Sequence, residues 1–477
     1  MTDILQNRRR FLGSLLTLAG SAAAPFSLNL AAISAAAAVE ATDYKALVCL
    51  FLNGGNDQGN TVLATDPNSW SAYGAARLTT DGGTIALPSA GQSGGVLPIF
   101  PQTTQAGRSF ALHPSLAPLK QLFDGGRAAI IANVGTLVQP TTKAQFLAGT
   151  AVLPPKLFSH NDQQSVWQSS QPEGARSGWG GRMADILAAS NSNATFSSVS
   201  AGGNALFLSG RTINQYQIGS EGAVPVLNLD GDLFGVPAAA NPLRSIVSAP
   251  RTNRFETEHA AVVARAISAQ STLGGAMLAA GAGGVPDPTP YVNPNTKASA
   301  VNPLAVQLQT VARIIGARST LGVRRQVFYV SLSGFDTHDG QRQRQADLLA
   351  RVAHAIAYFD GVMAALQGTD LRKNVTLFTA SDFGRTFASN GDGTDHGWGS
   401  HHFIVGGAVK GNNIYGTFPP VGLGHELDIG GGALLPSLSV DQYGATLATW
   451  FGVPAAQLPD VFPNIVNFSQ QNLGFMG

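Results

Sequence analysis

Two hydrophobic periods run along this chain. From Lys45 to Leu52 the residues are almost all apolar and rich in β-formers, which predicts a strand buried on both faces of a parallel sheet. Runs of the same kind at Ala128–Val134, Gln326–Leu332, Val375–Ala380 and Phe403–Val405 predict four more strands. Between them the period lengthens. Gln341–Leu366 carries Leu348, Leu349, Val352, Ile356, Phe359 and Val362 at helical spacing. Leu304–Arg318, Arg254–Leu278 and Val440–Phe451 read as further helices. A shorter helix, Leu116–Phe123, starts behind Pro114-Ser115 and stops at Gly125-Gly126. Strands alternating with long helices predict an α/β fold: a doubly wound, mostly parallel sheet covered by helices on both faces. The stretch 190–310 departs from this pattern. Its short alternating pieces and Pro/Gly clusters predict an inserted lid subdomain with a mobile loop near 281–297.

The N-terminus changes the picture of where the protein works. Asn7-Arg8-Arg9-Arg10-Phe11-Leu12 is a twin-arginine pattern, followed by an uncharged, alanine-dominated stretch from Leu15 to Ala38 that contains Gly20 and Pro25. A small-residue end suited to signal peptidase predicts removal near Ala38 or Ala41, leaving 42–477 as the folded domain, periplasmic or secreted, with no stable membrane span. Charged residues are only 12% of the chain, with 29 Lys plus Arg against 28 Asp plus Glu, so no basic stripe is present to hold nucleic acid. The single cysteine, Cys49, lies inside the first apolar run; no internal disulfide can form, and the thiol reads as core.

Candidate chemistry lies just past the strands, where open α/β sheets build their sites. Asp57 follows the first strand in a Gly-rich turn with no phosphate-loop spacing; it is either a metal ligand or an acid stabilising its own turn. Asp336 and His338 follow the Gln326–Leu332 strand two residues apart, a spacing that lets both face one ion. Asp382 ends the Val375–Ala380 strand, Arg385 follows in a turn, and Asp395, His396 and His401 come next. Five of the nine histidines (160, 338, 396, 401 and 402) fall in three strand-end loops that also carry Asp, so a divalent metal (zinc, manganese or calcium) or an anion is the expected ligand. Ser159, beside His160, is either a nucleophile or metal-bound hydroxyl, or a helix cap. Arg182, in Gly178-Trp179-Gly180-Gly181-Arg182, is either an oxyanion binder or a structural ion-pair partner.

The GGNDQGNT turn, the SHNDQQ stretch with the later GWGGR, and FDTHDGQ together carry a resemblance, as do SDFGRT, DHGWGSHHFIVGGAVKG and the terminal SVDQYGATLATWFGV. Together these segments resemble the Tat-exported bacterial domain-of-unknown-function family 1501, which is grouped with the alkaline phosphatase and sulfatase superfamily. The resemblance implies an alkaline-phosphatase-like sheet, two divalent metals, and hydrolysis of a small phosphate or sulfate ester by a Ser or Thr nucleophile. It implies Ser159 as nucleophile, Asp336 and His338 on one metal, Asp57 and Asp382 on a second, and His396 or His401 as the late histidine. The chain departs from that pattern at Phe383, where a ligand histidine is expected, and in the Asp336-x-His338 spacing; it also lacks a sulfatase signature. One metal, a rearranged site or a silent site therefore remain open. The alternative function is a non-catalytic envelope binding or assembly protein on the same scaffold.

Overall fold

A computed structural model describes residues 41–229, 231–232, 234–238 and 241–477. The expected twin-arginine segment falls on residues 1–40, outside the described residues. Ten strands form the main sheet: β1 (Lys45–Asn53), β2 (Ala128–Gly135), β3 (Ser198–Ser200), β4 (Tyr216–Gly219), β5 (Gly222–Ala223), β6 (Arg325–Ser333), β7 (Val375–Ser381), β8 (Ser400–Val405), β9 (Asn413–Tyr415) and β10 (Leu438–Ser439). Their order across the sheet is β9-β2-β8-β7-β1-β6-β3-β4-β5, with β10 pairing β2. β1 lies at the centre, parallel to β6 on one side and to β7 on the other. β8 runs antiparallel to both β7 and β2, and β5 is antiparallel to β4, so the sheet is mixed but mostly parallel.

Burial explains why β1 has an unbroken apolar sequence. Ala46, Val48, Leu50 and Leu52 enter one core cluster, and Leu47, Cys49 and Phe51 the other. The helices that flank the sheet are α1 (Ala117–Asp124), α2 (His160–Ser169), α3 (Trp179–Ile186), α4 (Arg254–Ala276), α5 (Pro303–Gly316), α6 (Gln341–Met363) and α7 (Val440–Phe451). The first face is covered by α1, α5 and α6 through Leu119, Leu308 and Val352, the second by α2, α3 and α7 through Trp167, Trp179 and Tyr443. Both faces of β1 are thus dry, and truncating Phe51 to alanine costs about 3–5 kcal/mol. α7 shows how local chemistry sets an element. Ser439 and Gln442 form a capping box at its start, and Gly452 at φ +112° closes it in the left-handed region.

The stretch 190–310 supplies sheet-edge strands β3–β5 as well as α4. The loop near 281–297, expected to be mobile, is tied to α6. Tyr291 Oη and Asn293 Nδ2 both donate to Asp347 Oδ1, at 3.0 and 2.8 Å. No helix among the described residues is long and apolar enough to cross a membrane.

Candidate metal centre

β1, β6 and β7 end side by side, so the turns that follow them converge. β1 runs into Gly54, whose N–H donates to Asp382 Oδ1 at 3.1 Å just past β7. Past β6 comes Asp336. A short antiparallel hairpin, Arg385–Ser389 with Thr394–His396, then folds Asp395 and His396 back over the same edge. From the opposite side α2 begins at His160.

Three imidazoles point their Nε2 atoms at one carboxylate. His160 Nε2 lies 3.3 Å from Asp336 Oδ2, while His338 Nε2 and His396 Nε2 each lie 3.1 Å from Asp336 Oδ1 and 3.0 Å from each other. Each ring is oriented by an acceptor at its other nitrogen. Asp382 Oδ2 is 2.7 Å from His160 Nδ1, Asp395 Oδ1 is 3.1 Å from His338 Nδ1, and the Phe158 carbonyl is 2.8 Å from His396 Nδ1. A carbonyl only accepts, so His396 carries a proton on Nδ1, and Nε2 is the atom an ion would take. Outer acceptors on Nδ1 are the usual support of a metal-ligating histidine. Phe158 delivers its carbonyl from a left-handed conformation, φ +71°, a strain of the kind that persists where the surroundings fix it.

Atoms of His160, Asp336 and His396 all lie within 4.8 Å of one another, a spread that one ion bonded at about 2.0–2.2 Å to each would draw together. Charge points the same way. Asp336, Asp382 and Asp395 all pair with the imidazoles, and the one guanidinium that joins them, that of Arg385, does so through Asp336, with Nη1 2.5 Å from Oδ1. Partial burial works against ionisation of Asp336, but the hydrogen bond and charge of Arg385, with His338 and His160 alongside, hold the carboxyl below its ordinary range. The hydrogen bond to Asp382 lifts the His160 imidazole above its ordinary value against the effect of burial, whereas burial lowers His396. Phe383 packs on both rings, with centroids 4.9 Å from His160 and 4.6 Å from His396. It stands as an apolar wall behind them, and no second cluster of metal-type side chains occurs among the described residues.

The structure therefore brings Asp336, His338, Asp382, Asp395 and His396 to one place, and adds His160, which the sequence reading counted but gave no role. Five expected residues lie elsewhere or are already engaged. Asp57 is fully buried and held by Arg77, with Nη1–Oδ2 at 2.6 Å and Nη2–Oδ1 at 3.0 Å, and it also accepts from Gln341 Nε2 at 2.5 Å. It is a structural acid, not a ligand. Arg182 spends its guanidinium on the carbonyls of Ser169, Ser177 and Val461, which tie α3 to the C-terminal segment, so it has no donor for an oxyanion. His401 sits in β8, accepts from the Asn133 N–H at 3.0 Å and packs on Phe418; burial lowers its pKa to about 3. Ser159 occupies the N-cap position of α2, but its hydroxyl donates to Asp162 Oδ2 at 2.9 Å. Arg385 is at the centre, yet fully buried: besides Asp336 it donates to the carbonyls of Gly54 and Thr394, so it positions Asp336 from within the core. Behind it, Thr394 Oγ1 donates to Gln341 Oε1 at 2.6 Å, which links this corner to the Asp57–Arg77 pair.

A mostly parallel α/β sheet with acids and imidazoles gathered at its carboxyl edge defines the class. Residues 44–429 match the family described as "Protein of unknown function (DUF1501)", and the chain belongs to that family. No curated protein matches it. Among solved structures it is similar to a Bacteroides thetaiotaomicron protein of glycosaminoglycan metabolism (11% identity, 89% of this chain and 75% of that one, TM-score 0.32). It is also similar to a protein in complex with a neocarrahexaose (9%, 89% and 76%, TM-score 0.34) and to a 2-O GAG sulfatase (11%, 88% and 75%, TM-score 0.25). These likenesses are too remote to carry chemistry across.

Proposed function

We propose that this protein is a metal-dependent hydrolase of phosphate or sulfate esters, exported through the twin-arginine route to the periplasm or beyond. The reading rests on one observation: three histidines, each oriented through Nδ1, aim Nε2 at Asp336 inside a cluster with more carboxylates than cations. His160, Asp336 and His396 would hold the ion. Neutral nitrogens with a single carboxylate suit zinc or manganese better than calcium, which prefers an all-oxygen shell. Such an ion supplies a Lewis acid for the ester oxygens and lowers the pKa of water.

The remaining residues do the rest. Asp382 orients His160, and Arg385 keeps Asp336 ionised and in place. His338 is the more exposed imidazole and is backed by Asp395, so its Nε2 is placed to take the proton of an attacking water and return it to the departing alkoxide. Water, rather than Ser159, is the nucleophile in this reading, because the serine hydroxyl is committed to Asp162. The second reading, a non-catalytic envelope binding protein, draws on the same engaged Ser159 and on the Phe383 wall.

Metal analysis and turnover of 4-nitrophenyl phosphate and 4-nitrophenyl sulfate by the purified protein separate the two. Bound zinc or manganese lost in His396→Ala, with His338→Gln keeping the metal but losing turnover, supports the hydrolase. Bound metal without turnover of either ester supports the binding protein, and a protein with neither metal nor turnover overturns the hydrolase and leaves the binding role.

A further inference from the structure

Alongside the metal cluster runs a cleft of about 790 Å³, within the size range of small-molecule sites. α2 forms one wall. Asn161, Gln164 and Gln168 are spaced three and then four residues apart, so they lie on one face of the helix and give it a polar stripe that looks into a concavity. Asn53 and Ser331, at the ends of β1 and β6, form the floor. Most ligand sites are lined chiefly by apolar groups; this one is lined mainly by amides and hydroxyls, and its two charges, Glu173 and Arg176, cancel.

Two details separate this stripe from an ordinary solvated helix face. Gln168 is only 7% exposed, and its Oε1 accepts from the Phe207 N–H at 2.8 Å, which leaves its amide nitrogen on the cleft with no protein partner among the described residues. An amide nitrogen at a cleft with no protein acceptor is free to donate to a bound molecule. Gln164 belongs to both places: its Nε2 donates to Asp382 Oδ2 at 2.9 Å while its side chain lines the cleft. One side chain, that of Gln164, therefore separates the cleft from the residue that orients His160.

We propose that the cleft is a subsite for the neutral, polyhydroxylated part of the substrate, a saccharide, seated so that its ester group reaches the His160–Asp336–His396 cluster. Sugar hydroxyls donate and accept at once, as do carboxamides and serine hydroxyls, and a lining nearly free of aliphatic side chains offers little to a peptide or a lipid. The assignment rests on the hydrolase reading for the ester but not for the sugar. The test is glycan-array binding by the full protein, with and without chelator, followed by calorimetry on the strongest glycan. Gln168→Leu, and Asn204→Trp at another residue of the cleft lining, which fills the space, should each weaken glycan binding at least tenfold while leaving metal content and 4-nitrophenyl ester turnover unchanged. Glycan binding with no ester turnover would uphold the cleft and sink the hydrolase. No glycan bound, or binding equal in both variants and wild type, would overturn the subsite.

Discussion

Arg77→Met offers the sharpest test of how Asp57 is read. Both side chains of the pair are fully buried, with two short contacts between them, and Asp57 also accepts from Gln341 and from the Gly59 N–H at 2.9 Å. Replacing the arginine leaves a carboxylate buried without its cation, a change that costs about 3–5 kcal/mol. In a protein of this size that lowers the melting temperature by about 3–5 °C. Equilibrium urea unfolding gives the free energy, and Asp57→Leu/Arg77→Met should recover part of the loss, because removing both charges leaves less unsatisfied than removing one. Metal affinity, measured by calorimetry on the still-folded Asp57→Asn variant, should stay within a few-fold of wild type. A loss below about 1 kcal/mol for Arg77→Met, or an Asp57→Asn protein that no longer holds metal, would refute the structural assignment.

Asp382→Asn keeps the shape of the His160 support but not its charge, and should weaken metal binding by about 10–100-fold in a calorimetric titration. Gly55→Ala would set a Cβ 2.5 Å from the Phe383 ring at a position with φ +85°, so it should both destabilise the fold and loosen metal binding by shifting the wall behind His160 and His396; unchanged urea midpoint and affinity would count against that role. Burial pushes the Asp441 carboxyl up to about 6, against hydrogen bonds from Asn464 and Ser170 and the charge of Arg182. Its folded pKa is raised, so its contribution is fully present below about pH 4 and is lost as pH rises through about 6, a swing of about 3 kcal/mol. The stability difference between Asp441→Asn and wild type should therefore move in favour of the variant between pH 4 and pH 7 in urea unfolding, and a constant difference would exclude the effect.

Which residues could be read from sequence follows from how local their signals are. The central strand was plain because burial on both faces leaves no polar alternation to confuse it. Asp336, His338 and Asp382 were legible because strand ends at a parallel sheet's carboxyl edge converge whatever the rest of the chain does. Asp57 has the same position but a different fate, decided by Arg77, which closes the helix Pro67–Ala76 and leaves no mark beside the aspartate. His401 and His402 were placed in a loop because the expected strand began at Phe403. It begins at Ser400, so both imidazoles belong to a buried strand and project to opposite sides, one against Phe418 and the other between Trp167 and Tyr443. His160 was counted among the clustered histidines but given no role, for the opposite reason. Only folding shows that α2 starts opposite Asp382, and no spacing within SHNDQQ conveys it.

Metal removal should expose the cost built into this arrangement. Asp336, Asp382 and Asp395 crowd an edge where Arg385 is the one fixed cation among the described residues, and Asp382 is fully buried in side chain. Three imidazoles held in fixed orientation add lost side-chain freedom to that repulsion. An ion that binds only the folded chain offsets both, by about 2.7 kcal/mol at a hundredfold excess over its Kd and about 4.1 kcal/mol at a thousandfold excess. Chelator should thus lower the urea midpoint of wild type, and added zinc or manganese should restore it in a concentration-dependent way. His396→Ala, with a ligand gone, should respond to neither. If wild type and His396→Ala respond alike, the cluster is an ordinary surface network of acids and histidines and holds no ion.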